Sequence, residues 1–182
     1  IYYKWFGGAH LINQYGIART FQNIRLFSEM TVIENLLIAQ HNNLNTNIIS
    51  GLLNTKNFKD SENKALKKAV KWLEICGLKQ YANDVSSSLS YGHQRRLEIA
   101  RAMCTDPRII CLDEPAAGLN PTETKSLSKL ITSICQDYDT TVLLIEHDME
   151  LIMNISDKIY VLDHGTVIAC GNPAEIRNNK DV

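Results

Sequence analysis

The 182 residues predict an α/β fold with a parallel-sheet core, a helical subdomain ahead of it and an antiparallel hairpin towards the C-terminal end. Three observations predict this. Ile109 to Leu112 and Val142 to Ile145 are nearly uninterrupted apolar runs, as expected for strands buried on both faces of a parallel sheet. A helical pattern separates them, so together they read as a β-α-β crossover. Further on, Tyr160 to Leu162 and Thr166 to Ala169 flank Asp163-His164-Gly165, where glycine can take the positive φ of a tight hairpin turn.

In chain order, Thr31 with Glu34 three residues later has the capping-box pattern of a helix start. Asn42 to Asn63 is polar except for Ile48 to Leu53 and reads as a loop. Ala65, Leu66, Ala69, Val70 and Leu73 share one helical stripe, which stops at Gly77. Ser90 caps another helix with an apolar face of Leu97, Ala100 and Cys104. Between the two apolar strands, Asn120-Pro121 with Glu123 repeats the capping pattern, and Leu127, Leu130, Ile131 and Ile134 form the inner stripe. The hairpin is expected to add its antiparallel strands to the sheet.

Composition narrows the partners. With 45% hydrophobic residues the chain can build one domain with a real core. A net charge of −1 supplies no global positive field, so no nucleic-acid partner is expected. The cysteines Cys76, Cys104, Cys111, Cys135 and Cys170 are odd in number and lack a CxxC pair, which argues for small core residues in a reducing compartment rather than disulfides or zinc ligands. No apolar run reaches the roughly 18 residues of a membrane span, and Ile1-Tyr2-Tyr3-Lys4-Trp5 is not a signal peptide. The absence of an initiator Met leads to the expectation that the chain begins mid-gene.

Chemistry concentrates where the strands end. Asp113 and Glu114 directly follow the first apolar strand, at the carboxyl edge where parallel α/β folds bind ligands. Adjacent side chains leaving a strand diverge, so one carboxylate can address a magnesium ion through its water shell while the other reaches a different water. Loop carboxylates capping nearby backbone are the alternative. Glu146-His147 ends the second strand, and the crossover would bring His147 to the same edge, as a phosphate sensor or as a hydrogen-bonded structural residue. In Leu89-Ser90-Tyr91-Gly92-His93-Gln94-Arg95-Arg96, the start of a helix offers N–H groups, a hydroxyl and a glycine to an anion. From the residues alone, a capped amphipathic helix with a solvated arginine pair is the favoured reading.

Leu89 to Met103, LSYGHQRRLEIARAM, resembles the signature motif and following helix of ABC ATPases, and IICLDEP resembles their Walker B segment. The fold so implied is a partial P-loop NTPase domain. On this resemblance Glu114 polarises the attacking water, Asp113 holds Mg2+ through water, and His147 in LLIEHDM is the switch histidine. Gln22 looks like the Q-loop glutamine, serving both metal and water. Ser90 and Gly92 would bind nucleotide in trans, on the site of a second subunit. Gly118, Leu119 and Asn120 sit in the D-loop place, although Asn120 stands where many members have aspartate. The signature also departs from the commonest pattern at Tyr91 and His93. Tyr91, Gly16 to Gln22 and Leu26 to Leu36 all look like branched-chain amino acid importer subunits, and the resemblance covers nearly the whole chain.

The resemblance implies one incomplete ATP-binding domain over 1–182, with a helical subdomain at about 23–106 carrying the signature and a catalytic-core portion at about 107–182. ATP and Mg2+ are the implied ligands. Implied partners are a second ATP-binding subunit, identical or different, transmembrane permease subunits and, indirectly, an extracytoplasmic substrate-binding protein. The implied place is the cytoplasmic face of the inner membrane, peripherally. No GxxxxGK followed by Ser or Thr occurs in the 182 residues, so the Walker A cradle for the β- and γ-phosphates is missing from them. These residues alone are therefore expected neither to bind ATP tightly nor to hydrolyse it. A lipid-export ATPase, a soluble ATPase of DNA repair or translation, and a noncatalytic relic are the competing expectations.

Overall fold

A computed structural model of the chain describes Asn13, residues 15–41, residues 56–179 and Val182. Strands β1 (Ile17–Arg19), β2 (Ile109–Asp113) and β3 (Thr141–Ile145) form one sheet in the order β1-β2-β3, parallel throughout. Apolar patterning does not single out β1, because three residues are too few to show a period. Registry places Ile17 beside Ile109 and Asp113 beside Ile145, so β1 and β3 flank β2 and deliver their chain ends to one edge.

Helix α1 (Val32–Ala39) starts at the expected capping box, with the Thr31 side chain accepting from the Glu34 N–H and Glu34 accepting from the Thr31 N–H at 2.8 Å. Helix α2 runs Lys56–Ile75, which corrects the loop expected through residue 63, while residues 42–55 of that expected loop lie outside the described residues. Its buried stripe is Ala65, Ala69, Trp72 and Leu73, continued by Cys76 just past its end, whereas Leu66 lies on the exposed side. Rotation by one position puts Trp72, with its larger area, into the core. Helix α3 (Tyr91–Met103) carries the signature-like sequence, and α4 (Pro121–Tyr138) is the expected crossover, with its Asn120–Glu123 capping box and its stripe of Leu127, Leu130, Ile131 and Ile134 buried. A single apolar cluster joins Val32 and Leu36 of α1, Ala69 and Leu73 of α2, Leu97 and Ala100 of α3, and Leu127 and Ile134 of α4 to Ala18, Ile110 and Leu112 of the sheet.

That cluster covers one face of the sheet. Ile110 and Leu112 point into it, while the other face, bearing Ile109, Leu143 and Ile145, is open, with Leu143 56% and Ile145 54% exposed. The expectation that both strands are buried on both faces is corrected: α1 to α4, joined by Leu151 of the helix after β3, pack on the side of Ile110. Beyond α5 (Met149–Ile155), the hairpin of β4 (Ile159–Asp163) and β5 (Thr166–Gly171) turns at His164 and Gly165, with φ of 44° and 79°. It forms a separate two-stranded sheet and does not extend the parallel one, a second correction. Its side chains have their own small cluster of Ile159, Ala169 and Ile176, the last from α6 (Pro173–Arg177), so the hairpin buries its inner face without the main sheet. The cysteines also divide: Cys76 and Cys104 are buried, but Cys135 and Cys170 are exposed and are not core residues. Among the described residues no helix is long and apolar enough to cross a membrane.

Candidate functional site

Strand β2 ends at Asp113 because Glu114 adopts φ 43°, in the left-handed region that costs a non-glycine residue about 1–2 kcal/mol. The Glu114 N–H is taken up by the Ile145 carbonyl at 2.9 Å, which ties the bend to the end of β3. The bend separates the two carboxylates, as expected. Asp113 Oδ2 accepts from Arg19 Nη2 of β1 at 2.9 Å. Glu114 Oε2 accepts from Gln22 Nε2 at 2.7 Å, and its Oε1 lies 3.9 Å from His147 Nδ1. The second distance is ion-pair range and too long for a hydrogen bond. Gln22, Glu114 and His147 thus converge at the sheet edge, with Asp113 beside them.

The supporting groups explain why the edge holds this shape. Glu146 Oε1 accepts from the Ala116 N–H at 2.7 Å, so the last residue before His147 pins the loop that follows Glu114. Its Oε2 accepts from the His147 N–H at 3.2 Å. Glu146 and Arg19 are residues the sequence reading passed over in favour of their neighbours; their roles depend on partners about 30 and 94 positions away, which no local pattern reports.

Ser90 and Gly92 sit elsewhere, at the start of α3. Ser90 caps the helix by accepting from the His93 N–H at 3.4 Å. A Cβ on Gly92 would come within 2.5 Å of Glu123 Oε1, so this position admits no larger side chain without displacing the capping box of α4. The Tyr91 ring lies over Gly118, 3.3 Å from where a Cβ would stand. Leu119 packs at the margin of the core and Asn120 caps α4. The signature-like and D-loop-like segments of this chain therefore rest on each other rather than on Glu114.

The donor set suits a hard divalent cation. Asp113 and Gln22 offer a carboxylate and an amide oxygen, and among the described residues no group of three or more His, Cys, Asp or Glu could form a complete protein cage. Magnesium characteristically takes one or two carboxylates and completes its shell with water and substrate phosphate, so the residues present fit that ion. Arg19 donates to the same Asp113 carboxylate at 2.9 Å.

Comparison with known proteins identifies the family. The ABC transporter family model matches residues 10–117. The high-affinity branched-chain amino acid transport ATP-binding protein LivG of Escherichia coli K12 is 58% identical over 171 residues, covering 94% of this chain and 67% of LivG. BraF of Pseudomonas aeruginosa, named for the same transport, is 55% identical over 173 residues, 95% of this chain and 68% of BraF. Among solved structures, an ATP-binding cassette of an ABC transporter in its ADP conformation superimposes with a TM-score of 0.74 at 33% identity, over 92% of this chain and 65% of that one. The chain thus spans about two thirds of the length of the proteins it matches. With a family model over more than half of its residues and relatives more than half identical across nearly all of them, the chain belongs to the ABC transporter family, in its ATP-binding class.

Proposed function

We propose that this chain belongs to a subunit that hydrolyses ATP to energise import of branched-chain amino acids, working peripherally at the cytoplasmic face of the inner membrane. The observation that carries the reading is the Gln22–Glu114 contact at 2.7 Å with His147 facing the same carboxylate. The names of LivG and BraF support the substrate class.

Glu114 would take a proton from the attacking water, a general-base role worth about 10² to 10⁴ in rate. Gln22 would orient that water and the carboxylate together. His147, 77% exposed and unobstructed on its outer side, would address the γ-phosphate. Mg2+, when bound, supplies positive charge to the phosphate oxygens, and Asp113 with Gln22 would hold it through its water shell. Ser90, exposed at the start of α3, and Gly92, buried just inside it against Glu123, would meet the nucleotide of a second ATP-binding subunit, with Gly118, Leu119 and Asn120 following at the same interface. Residues 23–106 would form the helical subdomain contacting the permease and 107–182 the catalytic-core portion; an extracytoplasmic binding protein would deliver substrate to the permease.

The test is Glu114→Gln in the assembled transporter. Hydrolysis should fall at least about 100-fold while ATP still binds. Turnover close to wild type would remove Glu114 from the role and the reading with it.

A further inference from the structure

One buried ion pair lies outside the groups this mechanism uses. Arg95 is 0% and Glu98 2% exposed, and Arg95 Nη1 donates to Glu98 Oε2 at 2.9 Å. The same guanidinium reaches out of its helix: Nη1 donates to the Phe21 carbonyl at 2.7 Å, Nη2 to the Gln22 carbonyl at 2.7 Å, and Nη2 to the Tyr91 hydroxyl at 3.3 Å. Glu98 Oε1 in turn accepts from the Arg25 N–H at 3.3 Å. Two side chains of α3 therefore grip the backbone at both ends of the stretch 21–25, and Gln22 within that stretch is the residue whose amide meets Glu114.

The arrangement is poor value as a source of stability. Buried ion pairs are often matched or bettered by apolar replacements, and Arg95 Nε has no hydrogen-bond partner among the described residues. What a planar fork does well is fix position, since its donors set the spacing and direction of two successive carbonyls at once. Lysine would offer the charge without that geometry.

We propose that Arg95, oriented by Glu98, is a positioning residue for Gln22, holding its backbone so that the Gln22 amide stays on Glu114. Through it the active edge is set by the signature helix, and Tyr91, which touches both Arg95 and Gly118, joins the D-loop-like segment to the same network. The inference rests on the ATPase reading of the Gln22–Glu114–His147 edge.

The test uses the assembled transporter and compares wild type, Arg95→Lys, and Arg95→Met combined with Glu98→Leu, which removes both charges together and leaves neither stranded. Each is made with and without Gln22→Ala. Loss of the pair should lower kcat on the order of 10-fold with KM for ATP changed less than about twofold, and lysine should restore only part of it. In the Gln22→Ala background the same change should cost nothing further, because the group it positions is gone. An equal loss in both backgrounds, or none in either, would overturn the proposal. Amide exchange of residues 21–25 gives a second readout that needs no turnover: it should quicken at least about 10-fold in both Arg95 variants, and unchanged exchange would also overturn it. A wild-type complex without ATP turnover would instead sink the ATPase reading, and the exchange result would then stand apart from that failure.

Discussion

Glu114 carries both the candidate chemistry and a backbone angle that glutamate disfavours. Relieving the angle should separate the two: Glu114→Gly is expected to gain up to about 1 kcal/mol in urea unfolding while losing hydrolysis, the trade expected where strain is retained for function. A destabilised variant would mean that the contacts of the side chain with Gln22 outweigh the strain. The cysteines offer an independent check of burial. Desolvation pushes the thiols of Cys76 and Cys104 up to about 12, so at pH 8 both stay protonated and unreactive in the native protein. Iodoacetamide followed by mass spectrometry should mark Cys135 and Cys170 first and reach Cys76 and Cys104 only after unfolding; prompt labelling of either buried thiol would contradict the packing.

At the scale of elements, helix starts are the features written most locally. In α1 the Thr31 N–H and hydroxyl hold the Glu34 carboxyl below its ordinary value of 4.5. A carboxyl with a lowered folded-state value contributes stability that is present above 4.5 and is lost as pH falls through the lower, folded value. Glu34→Gln should therefore flatten the acid limb of a urea-midpoint against pH curve below 4.5 and leave its shape near neutrality alone. The same box was legible at Asn120 for α4, because cap and partner are only three residues apart. By contrast β1 and the first turns of α2 were not legible: the former owes its existence to the register of Ile17 against Ile109, and the latter is polar at nearly every position. Inside the helical cluster, Leu36 is completely buried, and Leu36→Ala should cost about 2–5 kcal/mol in the same unfolding experiment.

For the molecule as a whole, the open face of the parallel sheet is the dominant feature. Ile109, Leu143 and Ile145 form an apolar strip beside Arg19 and Asp113 on one side, while the helices crowd the other. A polypeptide of these 182 residues alone should bind a dye such as ANS at native pH, and Leu143→Thr with Ile145→Thr should reduce both dye binding and aggregation. Absence of dye binding would show that something covers the strip. Calorimetry on the same polypeptide should find no micromolar ATP binding, since Asp113, Glu114, Ser90 and His147 supply no loop of N–H groups around the phosphates.

Sequence alone determined which side chains gather at the edge: apolar runs ending in Asp113-Glu114 and Glu146-His147 are local patterns, and strand ends on one side of a parallel crossover must meet. The motifs around Ser90 and Gly92 likewise named the family without coordinates. Only the tertiary structure decided that the hairpin stands apart from the sheet, and that Arg95 is a buried clamp on Phe21 and Gln22 rather than a solvated charge. The physical reason is distance along the chain. Burial and hydrogen bonding between residues 73 or more positions apart depend on how helices pack, and a helical stripe reports which side of an element is apolar but not which element will cover it.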